Sequence, residues 1–274
     1  VADTETTAET SPATNGQKPK TSGVTERWAA NELGVTGLKH FSGTLFEEFL
    51  PQLQGRKAAK VYQEMSHNDP VVSASLFAIE MLLREVQWHV EPASDDEEDV
   101  EIAEFIEGCM NDMDGTWADF VAEVLTMLPY GWAYFEQVYK RRKGPQKIRR
   151  YNQKELQIPS VFQDEVSGVP SGITPEKSRP APSRFNDGKI GWRRFGIRSQ
   201  DSLQRWALTR NGDVLGMWQL APPDYQLTFI PIEKALHFRT TSVKNSPEGR
   251  SVLRGAYRPW FFKKRLEEIE AIGL

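Results

Sequence analysis

Apolar positions change their spacing once along the 274-residue chain, near Gly131. Before it they recur with a helical period; after it they alternate. The first 36 residues are rich in Thr, Ala, Ser, Glu and Gly and carry hardly any large apolar side chain before Trp28. Such a segment cannot offset its own ordering entropy, which predicts an extended arm draped over a neighbour. Leu45, Phe46, Phe49 and Leu50 form a short apolar cluster in the helical part, closed by Pro51, and Arg56 to Ser66 reads as a helix through Ala59, Tyr62 and Met65. Asp69-Pro70 joins a capping carboxylate to a residue whose φ suits a first helical turn, predicting a helix to about Arg84. Its run Val71 to Leu83 is apolar nearly all round, so burial on several sides is expected. Val86 to Val90 reads as a strand ended by Pro92. Ser94 and Glu97 read as a capping box ahead of Val100, Ile102, Phe105, Ile106 and Cys109, with the acidic run Asp95 to Asp99 at the positive end of that helix. A helix from Thr116 gathers Trp117, Phe120, Val121, Val124, Leu125 and Leu128 on one core stripe, until Pro129 and Gly131.

Past Gly131, Trp132 to Tyr139 reads as a strand, with Lys140, Arg141, Arg142 and Lys143 before Gly144-Pro145 as its exposed turn. Leu203 to Arg210 and Val214 to Leu220 flank Asn211-Gly212, a strong hairpin signal because both positions tolerate positive φ. Tyr225, Leu227 and Phe229 alternate in another strand, and Ala235 to Arg239 makes one more. Residues 159–191, rich in Pro, Gly and Ser, predict a long surface excursion. Ser246-Pro247 predicts a helix holding Val252, Leu253 and Tyr257, and Pro259 opens another with Trp260, Phe261, Phe262, Leu266 and Ile269. Lys263-Glu267 and Lys264-Glu268 are its i,i+4 pairs. This last helix gathers an apolar face without closing a core, which points to a partner on another chain or to sequence beyond Leu274. The fold class is α+β.

Chemistry is sparse. Cys109 can form no internal disulfide, and His40, His67, His89 and His237 lie far apart, so neither a disulfide framework nor a metal site is expected. No phosphate-binding loop, dinucleotide fingerprint, HExxH or GxSxG occurs. Cys109 sits on an apolar helix face, where a structural thiol is expected. Asp112/Asp114 and Glu47/Glu48 lie in charged, solvated stretches with nothing to split their pKa values. His237, between Leu236 and Phe238, reads as a core or strand-edge histidine. No run of apolar residues is long enough to cross a membrane, and VADTETTAET lacks the basic and apolar regions of a secretory signal, so the expected compartment is the cytosol.

Charge is divided. Residues 1–139 hold 8 Lys and Arg against 25 Asp and Glu, net −17, while residues 140–274 hold 26 against 13, net +13. Such halves either solvate or meet on neighbouring subunits. Lys140 to Lys143, Arg149-Arg150, Arg193-Arg194, Arg254, Arg258 and Lys263 to Arg265 could neutralise phosphates, with Trp192 and Trp206 as stacking surfaces; solvated turns or ion pairs with the acidic half account for them equally simply.

Three segments in order carry a resemblance: NDPVVSASLFAIEMLLREVQWHVEP (Asn68 to Pro92), LPYGWAYFEQVYK (Leu128 to Lys140) and ALHFRTTSVKNSPEGRSVLRGAYRPWFFKKRLEEIE (Ala235 to Glu270). The chain over about residues 60–274, apart from 159–191, resembles tailed-bacteriophage portal proteins of the Mu-like branch: a DP helix leading to a W.V.P strand, a YG turn into an aromatic strand, then HF and a P.G.S.LR..Y pattern into a long helix. The resemblance implies a non-enzymatic ring, usually of twelve subunits, at one capsid vertex, assembled in the host cytoplasm and carried in the virion. It implies partners in further copies of the chain, the major capsid protein, the terminase large subunit and a tail or adaptor protein. Double-stranded DNA would pass through non-specifically; no cofactor, metal or membrane is implied. Residues 1–36 correspond to an arm, 37–245 to a portal wing with antiparallel strands and a hairpin, and 246–274 to helices starting a long stem. Trp260, Phe261, Phe262, Leu266 and Ile269 become candidates for the subunit interface, and Arg254, Arg258, Lys263, Lys264 and Arg265 for the DNA channel or a subunit contact. The full stem, its returning helix and the clip would follow Leu274. A head-completion adaptor or minor capsid protein that binds the portal is the alternative, and a metal-dependent nuclease using Asp112, Asp114 or Glu123 a further one.

Overall fold

The computed structural model describes residues 34–145 and 182–273; the chain divides into the unit Val1–Val35, nearly all of it outside the described residues, and the unit Thr36–Leu274. In the second unit a small hairpin, β1 (His40–Phe41) and β2 (Thr44–Leu45), precedes α1 (Gly55–Asn68), α2 (Pro70–Arg84), α3 (Glu97–Asn111), α4 (Trp117–Val124) and α5 (Met127–Tyr130). The strands β3 (Trp132–Arg141), β4 (Ile190–Arg198), β5 (Leu203–Leu208), β6 (Val214–Leu220), β7 (Leu227–Pro231) and β8 (Ala235–Arg239) follow, and α6 (Tyr257–Gly273) ends the described chain. Two antiparallel three-stranded sheets form, in the orders β4-β3-β8 and β5-β6-β7.

Period-2 alternation in β3 lets the strand be buried on both faces. Trp132 and Tyr134 point toward the second sheet and the β1–β2 hairpin, joining Leu38, Leu45, Leu203, Trp206, Met217, Ile230 and Ala235 in one core. The Tyr134 hydroxyl donates to the Ile230 carbonyl at 3.0 Å and ties the sheets together. Ala133 and Phe135 point the other way, against Phe120 of α4 and Phe195 of β4. A third core is helical, built from Leu53, Tyr62, Met65, Leu76, Leu253, Tyr257 and Trp260.

The sequence signals for termini are visible in the caps. Asp69 Oδ1 accepts from the amides of Val71 and Val72 at 2.9 and 3.1 Å, and Thr116 with Asp119 closes a capping box. Gly131 ends α5 in the left-handed region at φ 91°, and its carbonyl accepts from the Thr240 amide. A Cβ there would come within 2.5 Å of the Glu248 carbonyl, and one on Gly249 (φ 56°) within 2.2 Å of the Gly131 carbonyl, so this crossing of two chain segments requires both glycines.

Several expectations are corrected. Residues 46–50 are not helical, and a 3-10 turn at Pro51–Leu53 follows them. Residues 86–90 form no strand: Val86 and Trp88 are exposed and no ladder among the described residues includes them. Ser94 bonds Asp99 rather than Glu97, and Asp96 stands at the helix start. The helix from Thr116 breaks after Val124, and Pro129 sits within α5, where its missing N–H is harmless in a first turn. Tyr225 precedes its strand, and only Gly212 of the hairpin pair adopts positive φ. Residues 246–251 are irregular; a 3-10 turn at Val252–Gly255, capped by Ser251, leads into α6. Most of the 159–191 excursion lies outside the described residues, while Ile190 and Gly191 belong to β4, which sequence reasoning missed.

Candidate assembly surfaces

The apolar helix α2 is exposed, not buried. Leu76 is its buried residue, and on the opposite side Val71, Ala78, Met81 and Leu82, with Phe77 beside them, face solvent; Leu82 is 69% exposed. Trp88, just past the helix, is 58% exposed. Asp69 fixes where α2 starts, and Leu76 and Val72 fix which side packs on the helical core, so the outward side follows from the sequence register.

α6 divides in two. Tyr257 and Trp260 are packed in the chain's own helical core, with Phe261 half-buried against it. Phe262, Leu266 and Ile269, followed by Ile272 at 86% exposure, form an exposed stripe at spacings of four, three and three. Of the five apolar candidates on this helix, Trp260 is therefore committed inside the subunit and Phe262, Leu266 and Ile269 are presented outward.

Basic candidates are largely engaged. Arg254 grips Glu48 bidentately (2.6 and 2.9 Å) and covers the Phe49 ring. Lys263 binds Asp69 at 2.9 Å and Glu267 at 3.9 Å; Lys264 pairs with Glu64 rather than Glu268; Arg265 pairs with Glu268. Arg258 is exposed above the Phe262 ring. The same pattern runs through the fold: Glu101–Lys189, Asp114–Arg193, Glu136–Arg198, Glu136–Lys234 and Glu47–Lys244 each join an acid of the negative half to a base of the positive half. The charge division is thus partly consumed within the subunit.

The expected basic turn at 140–143 is also corrected. Arg141 and Lys143 are exposed, but Lys140 and Arg142 are buried because β3 continues through Arg141 and turns them inward. Lys140 Nζ lies 3.3 Å from Asp112 Oδ2 and donates to the Asp112 and Pro182 carbonyls. Asp112, expected to be solvated, is buried: Ser183 Oγ donates to it at 2.6 Å and the Arg184 amide at 2.8 Å. Burial pushes its pKa up, and Ser183, the Arg184 amide and Lys140 outweigh that, holding the carboxyl below its usual range. Arg142 lies over the Phe105 and Phe185 rings, 3.3 Å from Asp187, with buried Cys109 beside it. Nothing in the local sequence signals this lock, since its parts come from three separate segments.

Glu47, bonded by the Lys39 amide at 2.6 Å and by Lys244, is held below its usual pKa; Glu48 is too, where Arg254 overcomes burial. Glu123 is raised by burial and by Asp119. Trp206 is buried against Trp132 and His237, and Trp192 packs on Phe195, so neither is a free stacking platform; Arg149 and Arg150 lie outside the described residues. His237 stacks on Trp206, and burial lowers its pKa to about 4. Among the described residues no group of three His, Cys, Asp or Glu side chains could hold a metal ion, and no helix is long and apolar enough to cross a membrane.

No curated protein matches the chain. Residues 59–272, well over half of the sequence and running from within α1 to the end of α6, match the family described as the portal protein of Mu bacteriophage, and the chain belongs to that family.

Proposed function

We propose that this chain is one subunit of a closed ring of twelve copies, set at a single vertex of a phage capsid and serving as the conduit for double-stranded DNA during packaging and ejection. The terminase large subunit docks on the ring during packaging, and a tail or adaptor protein docks afterwards; the major capsid protein surrounds it. Its work is mechanical: the subunit positions DNA and partners and catalyses nothing. Residues 1–36 act as an arm, 37–245 as the wing, and 246–274 lead into the stem. Assembly takes place in the host cytoplasm, and the ring remains in the virion.

One observation carries the reading: α2 and the outer half of α6 present apolar stripes that are exposed among the described residues. In a heterologous ring each subunit offers one face to one neighbour and a different face to the other, and two separate apolar surfaces meet that requirement. The intrachain pairing of Arg254, Lys263, Lys264 and Arg265 suits a conduit that does not grip phosphates.

Light scattering of the double variants Phe77→Asp/Leu82→Asp and Leu266→Asp/Ile269→Asp tests this. Each should give a folded monomer with an unchanged circular-dichroism spectrum, while the unaltered chain forms a large closed particle. Rings persisting in both variants would contradict the reading.

A further inference from the structure

A cleft of about 550 Å³ opens between residues 45–54, the face of α1 and the loop 241–254, away from both apolar helix surfaces. Phe49, Leu53, Ala58, Tyr62 and Tyr130 form much of its wall. At one side Glu48, Arg254 and Phe49 make a complete set: a carboxylate, a guanidinium bonded to both of its oxygens, and an aromatic ring 5.1 Å from the guanidinium carbon. Glu248 lines the same cleft, as do Tyr130 and Tyr62, and it has no cation on it among the described residues.

Glu248 is half-buried. Among the described residues its one hydrogen bond is from the Trp206 indole N–H to Oε1, at 3.2 Å. Behind it lie a 30 Å³ void walled by Ala58, Ala59, Trp132 and Leu203, and a 300 Å³ cavity on the side of Arg56, Lys57 and Arg205. No base pairs with it among the described residues, although every acid of the cleft nearer the surface has one. A half-buried carboxylate lining a cleft, with one neutral donor on Oε1, keeps acceptor capacity open to a further donor.

From this geometry we infer that the cleft is a binding site for an arginine side chain of a partner polypeptide, its guanidinium seated on Glu248 in the cleft that Tyr62 and Tyr130 also line, as Arg254 is seated on Glu48 beside Phe49. A planar fork matches both carboxylate oxygens and stacks on aromatic faces, which an ammonium does less well. The inference stands apart from the ring reading, since the cleft belongs to a single subunit.

Binding should carry a distinctive pH dependence. Burial raises Glu248 to about 7 in the empty cleft. The other titratable groups facing it are silent near neutrality: Glu47 and Glu48 are held low by their partners, His237 on the far face of Trp206 is lowered to about 4 by burial, and burial raises Tyr62 to about 12 and Tyr130 above its usual value. Arg56, Lys57, Arg205, Arg250 and Arg254 are the basic side chains lining these cavities, and Lys244 pairs with Glu47. Only the ionised carboxylate attracts a guanidinium, so affinity should rise about tenfold between pH 6 and pH 8, with proton release at pH 6.5.

The test titrates the full chain with n-butylguanidinium, following the Trp206 indole N–H resonance, identified by its loss in Trp206→Phe. Saturable binding in the millimolar range is expected, tightening about tenfold from pH 6 to pH 8 and weakened at least tenfold by Glu248→Gln. n-Butylammonium should bind several-fold more weakly. No saturation, a flat pH profile in the unaltered chain, or equal binding by Glu248→Gln would each overturn the proposal, and the pH profile does so without any variant having to fold.

Discussion

Half-buried Glu248 and buried Asp112 shift in opposite directions because their partners differ. Asp112 has Lys140, Ser183 and the Arg184 amide; Glu248 has one indole N–H. A lowered folded pKa means that the Asp112 lock contributes stability above the unfolded value near 4, and that this is lost as pH falls. A raised folded pKa means the reverse for Glu248: its contribution is present below about 4.5 and declines as pH rises toward 7. Acid and alkaline limbs of a stability profile should therefore separate. Glu248→Gln keeps an acceptor for Trp206 and removes the charge, so thermal or urea unfolding at pH 8 should show it on the order of 2 kcal/mol more stable than the unaltered chain, with no gain at pH 4. Lys140→Met leaves Asp112 charged and enclosed, and denaturant unfolding should show a loss of about 3–5 kcal/mol. Neither role was legible from local sequence. Asp112 stands in a charged stretch that reads as solvated, and its burial depends on Ser183 and Lys140, 71 and 28 residues away.

Elements were more legible than their surroundings. Asp69-Pro70, Thr116 with Asp119, the alternation in β3 and the run Ala235 to Arg239 act through near neighbours, and each forms where the spacing places it. Burial is a tertiary property, and there the spacing misled: an all-round apolar α2 reads as interior, whereas the subunit covers one side of it. The opposite happened in α6, whose Trp260 reads as presented outward but fills the helical core. Trp260→Asp should consequently unfold the helical core, costing about 3–5 kcal/mol in denaturant unfolding, whereas Leu266→Asp should change stability by less than about 0.5 kcal/mol. Similar losses for both would mean that the outer half of α6 is packed within its own subunit.

At the scale of the whole molecule, the opposed charges of the two halves turn out to be an internal fastening as much as an outward field. Glu101 of α3 holds Lys189, Glu47 and Glu48 hold Lys244 and Arg254, and Glu64 of α1 holds Lys264 of α6, joining early and late segments of the second unit. The surfaces left for neighbours on α2 and α6 are apolar, so subunit association should be nearly indifferent to salt between 0.1 and 1 M, because screening acts on charges and not on apolar burial. The most direct test of the central claim is electron microscopy of the purified full chain at 0.5 M salt. The account predicts closed rings of twelve subunits with α2 and the outer half of α6 at the contacts; a field of separate monomers, or rings whose contacts leave both helices facing solvent, would contradict it.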